Sequence, residues 1–222
     1  MVHDGYMRRI LEATAILSLT DVVFVAVRIL MTGSTRYWFV PANLALAWVS
    51  PLLAIWLVGE LKNRRWLSWP NLVLTGLWLV FLPNTWYVLT DFIHVYPNGE
   101  ISQLYDIVLM SLLAFCGFIL GFVSLYSLHR QLLRRLDPLR SYWLIQTVIL
   151  LCSFAIYVGR DLRWNSWDVI ANPGGLVLNI SDQIADPLGN PRALNVTLLF
   201  FVLLSVMYYC IWMVWKPPTP KH

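Results

Sequence analysis

Residues 81–94 hold the densest set of groups able to do chemistry. Asn84, Tyr87, Asp91 and His94 are separated by 3, 4 and 3 residues. That spacing stacks an amide, a phenol, a carboxylate and an imidazole along one face of an α-helix. An imidazole changes charge near neutrality, and a carboxylate one turn away can fix its tautomer. His94, Asp91 and Tyr87 are therefore the candidate acid–base residues, with Asn84 as a ligand contact beside them. The competing reading is structural. Pro83 lacks a backbone donor and clashes with the preceding turn, and polar side chains beside such a break hydrogen-bond to repair it.

A second set lies at residues 159–168, where Arg160, Arg163, Asn165 and Asp168 alternate with Trp164 and Trp167. A planar guanidinium grips phosphate or carboxylate through two parallel hydrogen bonds. Arg160 and Arg163, with Asn165 and Asp168, are thus candidate contacts for an anionic or lipid headgroup. Asn165 or Ser166 could cap a short helix running through Asp168 and Val169. The alternative is an anchor belt of tryptophans and arginines at a membrane interface, with Arg–Asp pairs closed on themselves.

Asp21 stands midway along an apolar run, where a carboxylate costs about 2.5–3.5 kcal/mol on insertion scales. It is either a proton or cation site or the hydrogen-bond partner of Asn43, Gln146 or Ser153. Arg28 shares its helical face, but seven residues of helix rise about 10 Å, too far for direct pairing. Arg28 joins the ligand-binding candidates instead. No metal site and no cofactor are expected. Cys116, Cys152 and Cys210 all fall inside apolar runs without a C-x-x-C pair. Asp91, Asp106 and Asp168 lack a coordinating spacing, and neither G-x-S-x-G nor H-E-x-x-H occurs.

The elements that must position these groups follow from composition. The chain has 222 residues, 59% apolar and 13% charged, with a mean hydropathy of +0.64. A soluble domain is roughly half apolar and about a quarter charged, and a disordered chain is poorer still in apolar residues. The apolar residues come in runs of about 20, enough to cross a bilayer as helix. Six such runs are predicted: Ile10–Met31, Ala42–Leu61, Leu72–Leu89, Ile107–Leu128, Trp143–Val158 and Leu194–Trp215. The fold class is all-α, a polytopic transmembrane bundle in a single domain over 1–222, with the third helix kinked at Pro83. The first run is too long for a cleaved signal, and no A-x-A-like site follows it.

Orientation follows the arginines and lysines, which collect in cytoplasmic loops. Arg8, Arg9, Lys62, Arg64, Arg65, Arg130, Arg134, Arg135, Arg140, Lys216 and Lys221 fall on one side, eleven in all, against four on the other: Arg36, Arg160, Arg163 and Arg192. Both termini are expected in the cytoplasm, with extracytoplasmic loops at about 90–106 and 159–193. Nine of the twelve tryptophans fall near span ends, leaving Trp48, Trp56 and Trp78 at depth, as an interfacial aromatic belt requires. Asp182 and Asp186 lie in a Pro/Gly/Asn-rich stretch that reads as solvated turns. The formal charge of +4 is spread by topology, so no nucleic-acid partner is expected.

Leu82-Pro83-Asn84, Tyr87, Thr90-Asp91 and His94, with Gly159-Arg160 and Leu162 through Asp168, carry a resemblance to a family. The sequence resembles the bacterial multi-pass membrane proteins defined only as domain of unknown function 1361. The likeness runs over most of the chain from the second span onward. It departs at Asp161, where an apolar or aromatic residue is expected, and at Thr85-Trp86, where a smaller pair is usual. The resemblance implies the cytoplasmic (inner) membrane of a bacterium and brings no activity with it. Three functions remain open. One is an outward-facing polar pocket for an anionic or lipid headgroup ligand, with His/Asp acid–base catalysis. Another is a small-solute or ion transporter or channel using Asp21. The third is a non-catalytic accessory subunit. The expected partners are membrane lipids, with a second copy or another membrane subunit beside them.

Overall fold

Hydrocarbon offers a backbone no hydrogen-bond partner, so apolar runs of this length must satisfy their amides internally as helix. The computed structural model describes residues 2–97, 99–164, 171–185 and 191–215. It is all-helical, with 84% helix and no strand among the described residues. Helix α1 (Val2–Thr32) ends at Gly33, whose φ of +67° admits the left-handed turn. The Gly33 amide donates to the Ile29 carbonyl at 2.7 Å, the usual αL closure. Helix α2 (Phe39–Glu60) follows, then α3 (Trp69–Phe81) and α4 (Pro83–Tyr87), which passes directly into a 3₁₀ helix at Val88–His94. Helix α5 (Gln103–Leu133) precedes α6 (Pro138–Arg160), whose first turn is capped by Asp137 accepting from the Arg140 amide at 2.9 Å. Two further helices are α7 (Pro173–Ala185) and α8 (Pro191–Trp215).

Among the described residues, six helical segments are long and apolar enough to cross a membrane: Gly5–Thr32, Phe39–Glu60, Trp69–His94, Gln103–Leu133, Pro138–Arg160 and Pro191–Trp215. They match the six predicted runs, each extended by a few residues. The third span bends by 12° at residue 82, less than the roughly 20° that marks a sharp kink. Pro83 interrupts the hydrogen bonding without redirecting the axis. The loop expected at 159–193 contains a helix that the turn reading missed. Asp182 lies within α7, because Asn172-Pro173 is a cap followed by proline at the first helical position. Asn172 Oδ1 accepts from the Gly175 amide at 3.1 Å.

The chain divides into two compact units, one up to Ser127 and one from Leu128, with the boundary inside α5. In the first unit Val25, Tyr37, Val40, Leu44, Val88, Leu109, Met110, Leu113 and Cys116 form a buried apolar cluster. The α4 backbone lies directly on α5. A Cβ added at Gly117 would overlap the Thr85 carbonyl, and one at Gly121 would come within 2.5 Å of both the Thr85 hydroxyl and the Trp86 indole nitrogen. Thr85-Trp86, bulkier than the resemblance leads one to expect, is accommodated by these two glycines. Indole N–H groups at depth find serines: Trp48 donates to Ser18 at 3.1 Å and Trp78 to Ser124 at 2.7 Å.

In the second unit α6 packs on α8, with the Ser205 hydroxyl donating to Gln146 Oε1 at 2.8 Å. His129 Nδ1 lies 2.7 Å from the Tyr208 hydroxyl, and its ring stacks on Trp212 with centroids 4.3 Å apart. Large apolar side chains remain exposed on the outward faces, Ile16, Leu52, Ile55, Leu199 and Val202 among them. That much uncovered apolar surface suits a lipid environment.

Candidate functional site

The polar groups of the first unit gather where α1 ends, the 33–38 connection turns, the 3₁₀ helix closes the third span and α5 begins. Arg28, on the penultimate turn of α1, is fully buried. Its Nε donates to Asp106 Oδ1 at 2.8 Å and its Nη2 to Glu100 Oε2 at 2.9 Å. Asp106 sits in the first turn of α5, where the helix dipole favours an acid. The Tyr37 hydroxyl is 3.0 Å from Asp106 Oδ2 and 3.1 Å from the His94 carbonyl, with one proton to offer two acceptors. Arg28 and Arg36 lie over the Tyr37 ring at 4.4 and 5.5 Å. Burial, then the neighbouring Asp106 carboxylate, pushes the Tyr37 phenol up to about 12. Arg36 also donates to the His94 carbonyl, at 2.6 Å.

The expected polar stripe is rearranged by the change of helix type. In 3₁₀ geometry three residues make a turn, so Asp91 and His94 eclipse one another but rotate away from Tyr87. Asp91 is 2% exposed and accepts from Asn43 Nδ2 on α2 at 2.8 Å. His94 is half-buried, its ring tilted against Phe39 with centroids 5.0 Å apart. Asn84 Nδ2 donates to the Phe81 carbonyl at 3.2 Å, the repair role expected beside a proline. Tyr87 is half-buried, and its carbonyl accepts from the Thr90 hydroxyl. The His94 backbone carbonyl thus joins the Tyr37 and Arg36 contacts, Asp91 pairs with Asn43, and Asn84 bonds within its own span.

Tyr37 was missed by the sequence reading, although its bonds tie three segments together. The available signal was an Arg36-Tyr37 pair in a short connection between two spans. Glu100 and Asp106 were read as outer acids, not as partners of Arg28. Asp21 is fully buried on α1, and neither carboxylate oxygen has a hydrogen-bond partner. Asn43, the expected partner within the same unit, does not serve it. Asn43 binds Asp91, Ser153 donates to the Ile149 carbonyl, and Gln146 accepts from Ser205.

Arg160 ends α6 in the second unit, and Arg163 follows with a positive φ of 59°. That αL residue lets Leu162 and Trp164 fold back onto Tyr157, Val158 and Ala193, while Arg163 itself stays exposed. Asp161 is nearly buried and ion-pairs with Arg192 at the start of α8, which explains how an acid is tolerated there. Asn165, Ser166 and Asp168, with the short helix expected on them, lie outside the described residues, as does Asp186. Among the described residues no group of three or more His, Cys, Asp or Glu side chains is placed to hold a metal ion.

A family profile described as "Protein of unknown function (DUF1361)" matches residues 42–207, three quarters of the chain, and so takes in both motifs that carry the resemblance. The chain belongs to the DUF1361 family. The DUF1361 match includes Asn43, Asp91, His94, Glu100 and Asp106, whereas Asp21, Arg28 and Tyr37 precede it. The polar cluster of this DUF1361 protein is thus completed by residues from outside the matched region. No curated protein and no solved structure matches the chain.

Proposed function

We propose that this protein is an integral protein of the cytoplasmic (inner) membrane of a bacterium, with both termini in the cytoplasm. Its first unit recognises the anionic headgroup of a lipid or lipid-linked molecule from the outer side. The observation that carries this reading is Arg28. Its guanidinium is fully buried, yet Nη1 has no acceptor while Nε and Nη2 are satisfied. A buried charged donor left unpaired is costly, and a headgroup oxyanion supplies the missing acceptor. Glu100, itself exposed, gives Arg28 a solvent-facing neighbour, which supports entry from that side. Asp91 and His94, on the 3₁₀ helix whose His94 carbonyl meets Tyr37 and Arg36, supply acid–base groups for a reaction on that headgroup. Arg160, Arg163, Asn165 and Asp168 offer a second headgroup contact belonging to the other unit.

Native mass spectrometry of the detergent-purified protein with phosphatidylglycerol tests the reading. The wild type should retain the lipid under activation that strips detergent, and Arg28→Lys, which lacks Nη1, should lose it. Equal retention by a folded Arg28→Lys protein overturns the proposal. His94→Gln should keep the lipid, which separates recognition from turnover.

A further inference from the structure

We infer that Asp21 is an exchangeable binding site for a small monovalent cation, a proton or a sodium ion, enclosed within the first unit. Asp21 lies midway along α1 with 0% exposure and both carboxylate oxygens unpartnered. An ionised carboxylate removed from water and given no donor is far too unfavourable for a fold to carry, so its charge must be matched on the spot.

Among the described residues the protein supplies no match. Arg28, two turns along α1, is held by Asp106 and Glu100. On α2 the Trp48 indole, which is not titratable, donates to Ser18, one turn from Asp21. On α5 the Cys116 thiol receives the Ser18 hydroxyl at 3.7 Å. Ser18, also buried, thus has its proton engaged by sulfur and an oxygen lone pair by the indole. These neighbours are neutral, so the missing charge is a single positive one. A divalent ion would leave an excess charge in the same apolar surroundings, and a lone carboxylate is a poor ligand set for it. This site is independent of the headgroup reading, because it shares neither a residue nor an orphan atom with it.

Dicyclohexylcarbodiimide reports a protonated carboxyl in an apolar site. The acid adds across a C=N bond of the reagent and the acyl group then shifts to nitrogen, leaving a stable N-acylurea with no leaving group. The intact protein in micelles should acquire one such adduct on the α1 peptide at Asp21, declining as pH rises, and Asp21→Asn should lack it. Loss of the label in sodium chloride relative to potassium chloride assigns sodium as a ligand. Equal labelling in both salts assigns the proton alone. Absence of the adduct from mildly acid to mildly alkaline pH, with labelling only after denaturation in dodecyl sulfate, overturns the inference. Wild-type peptide mapping gives this answer even if Asp21→Asn fails to fold.

Discussion

Arg28 and Asp106 are each buried to within 1% and joined at 2.8 Å, so removing one strands the other. Breaking a buried pair from one side costs about 3–5 kcal/mol, whereas replacing both with apolar side chains is often neutral. Arg28→Met should therefore lower thermal stability in detergent sharply, and Arg28→Met with Asp106→Leu should recover most of the loss. Tyr37 gives a second expectation, in alkali. Its phenol ordinarily titrates near 10 and is pushed up to about 12 in the fold. The neutral form is thus favoured by folding, so that stabilisation is complete below pH 10 and disappears as pH rises towards 12. Alkaline unfolding followed by near-ultraviolet absorbance should show this dependence in the wild type and a shallower one in Tyr37→Phe. The sequence pointed to Asp91 and His94 through their helical spacing and to Arg28 through its place in an apolar run. It could not pair them, because the partners Glu100 and Asp106 lie more than seventy residues from Arg28 in the chain. Tyr37 sits in a connection too short for any period to show.

At the scale of helices, apolar length made every span legible, and boundaries shifted only by a few residues. What escaped was local geometry: the 3₁₀ turn after Tyr87, where one residue sweeps about 120° in place of 100°, and α7, hidden by its Pro-Gly-Gly opening. Gly117 and Gly121, spaced as a small-xxx-small pair, were an unused signal of close helix approach. Gly121→Ala should destabilise the first unit, since its new methyl meets the Trp86 indole. Gly76→Ala on α3 meets nothing within 4 Å and should stabilise by about 0.5–1 kcal/mol. Paired melting curves of the two variants check both signs. Arg163→Gly should likewise raise stability, because glycine takes a φ of 59° without the Cβ conflict.

For the molecule as a whole, the eleven-to-four split of Lys and Arg predicts an orientation that single-cysteine labelling can check. On a background with Cys116, Cys152 and Cys210 replaced, a cysteine at Ser34 should react with an impermeant maleimide in intact cells. One at Thr219 should react only after permeabilisation, and the reverse pattern would invert the topology. The two-glycine contact has a mechanical corollary. With Thr85 and Trp86 keyed into α5, a slip by one residue would drive Phe118 into the notch that Gly117 leaves open. The pair behaves as a locked spline, so neither rod can slide along the other, and any rearrangement accompanying occupancy of α1 must carry them together as one lever.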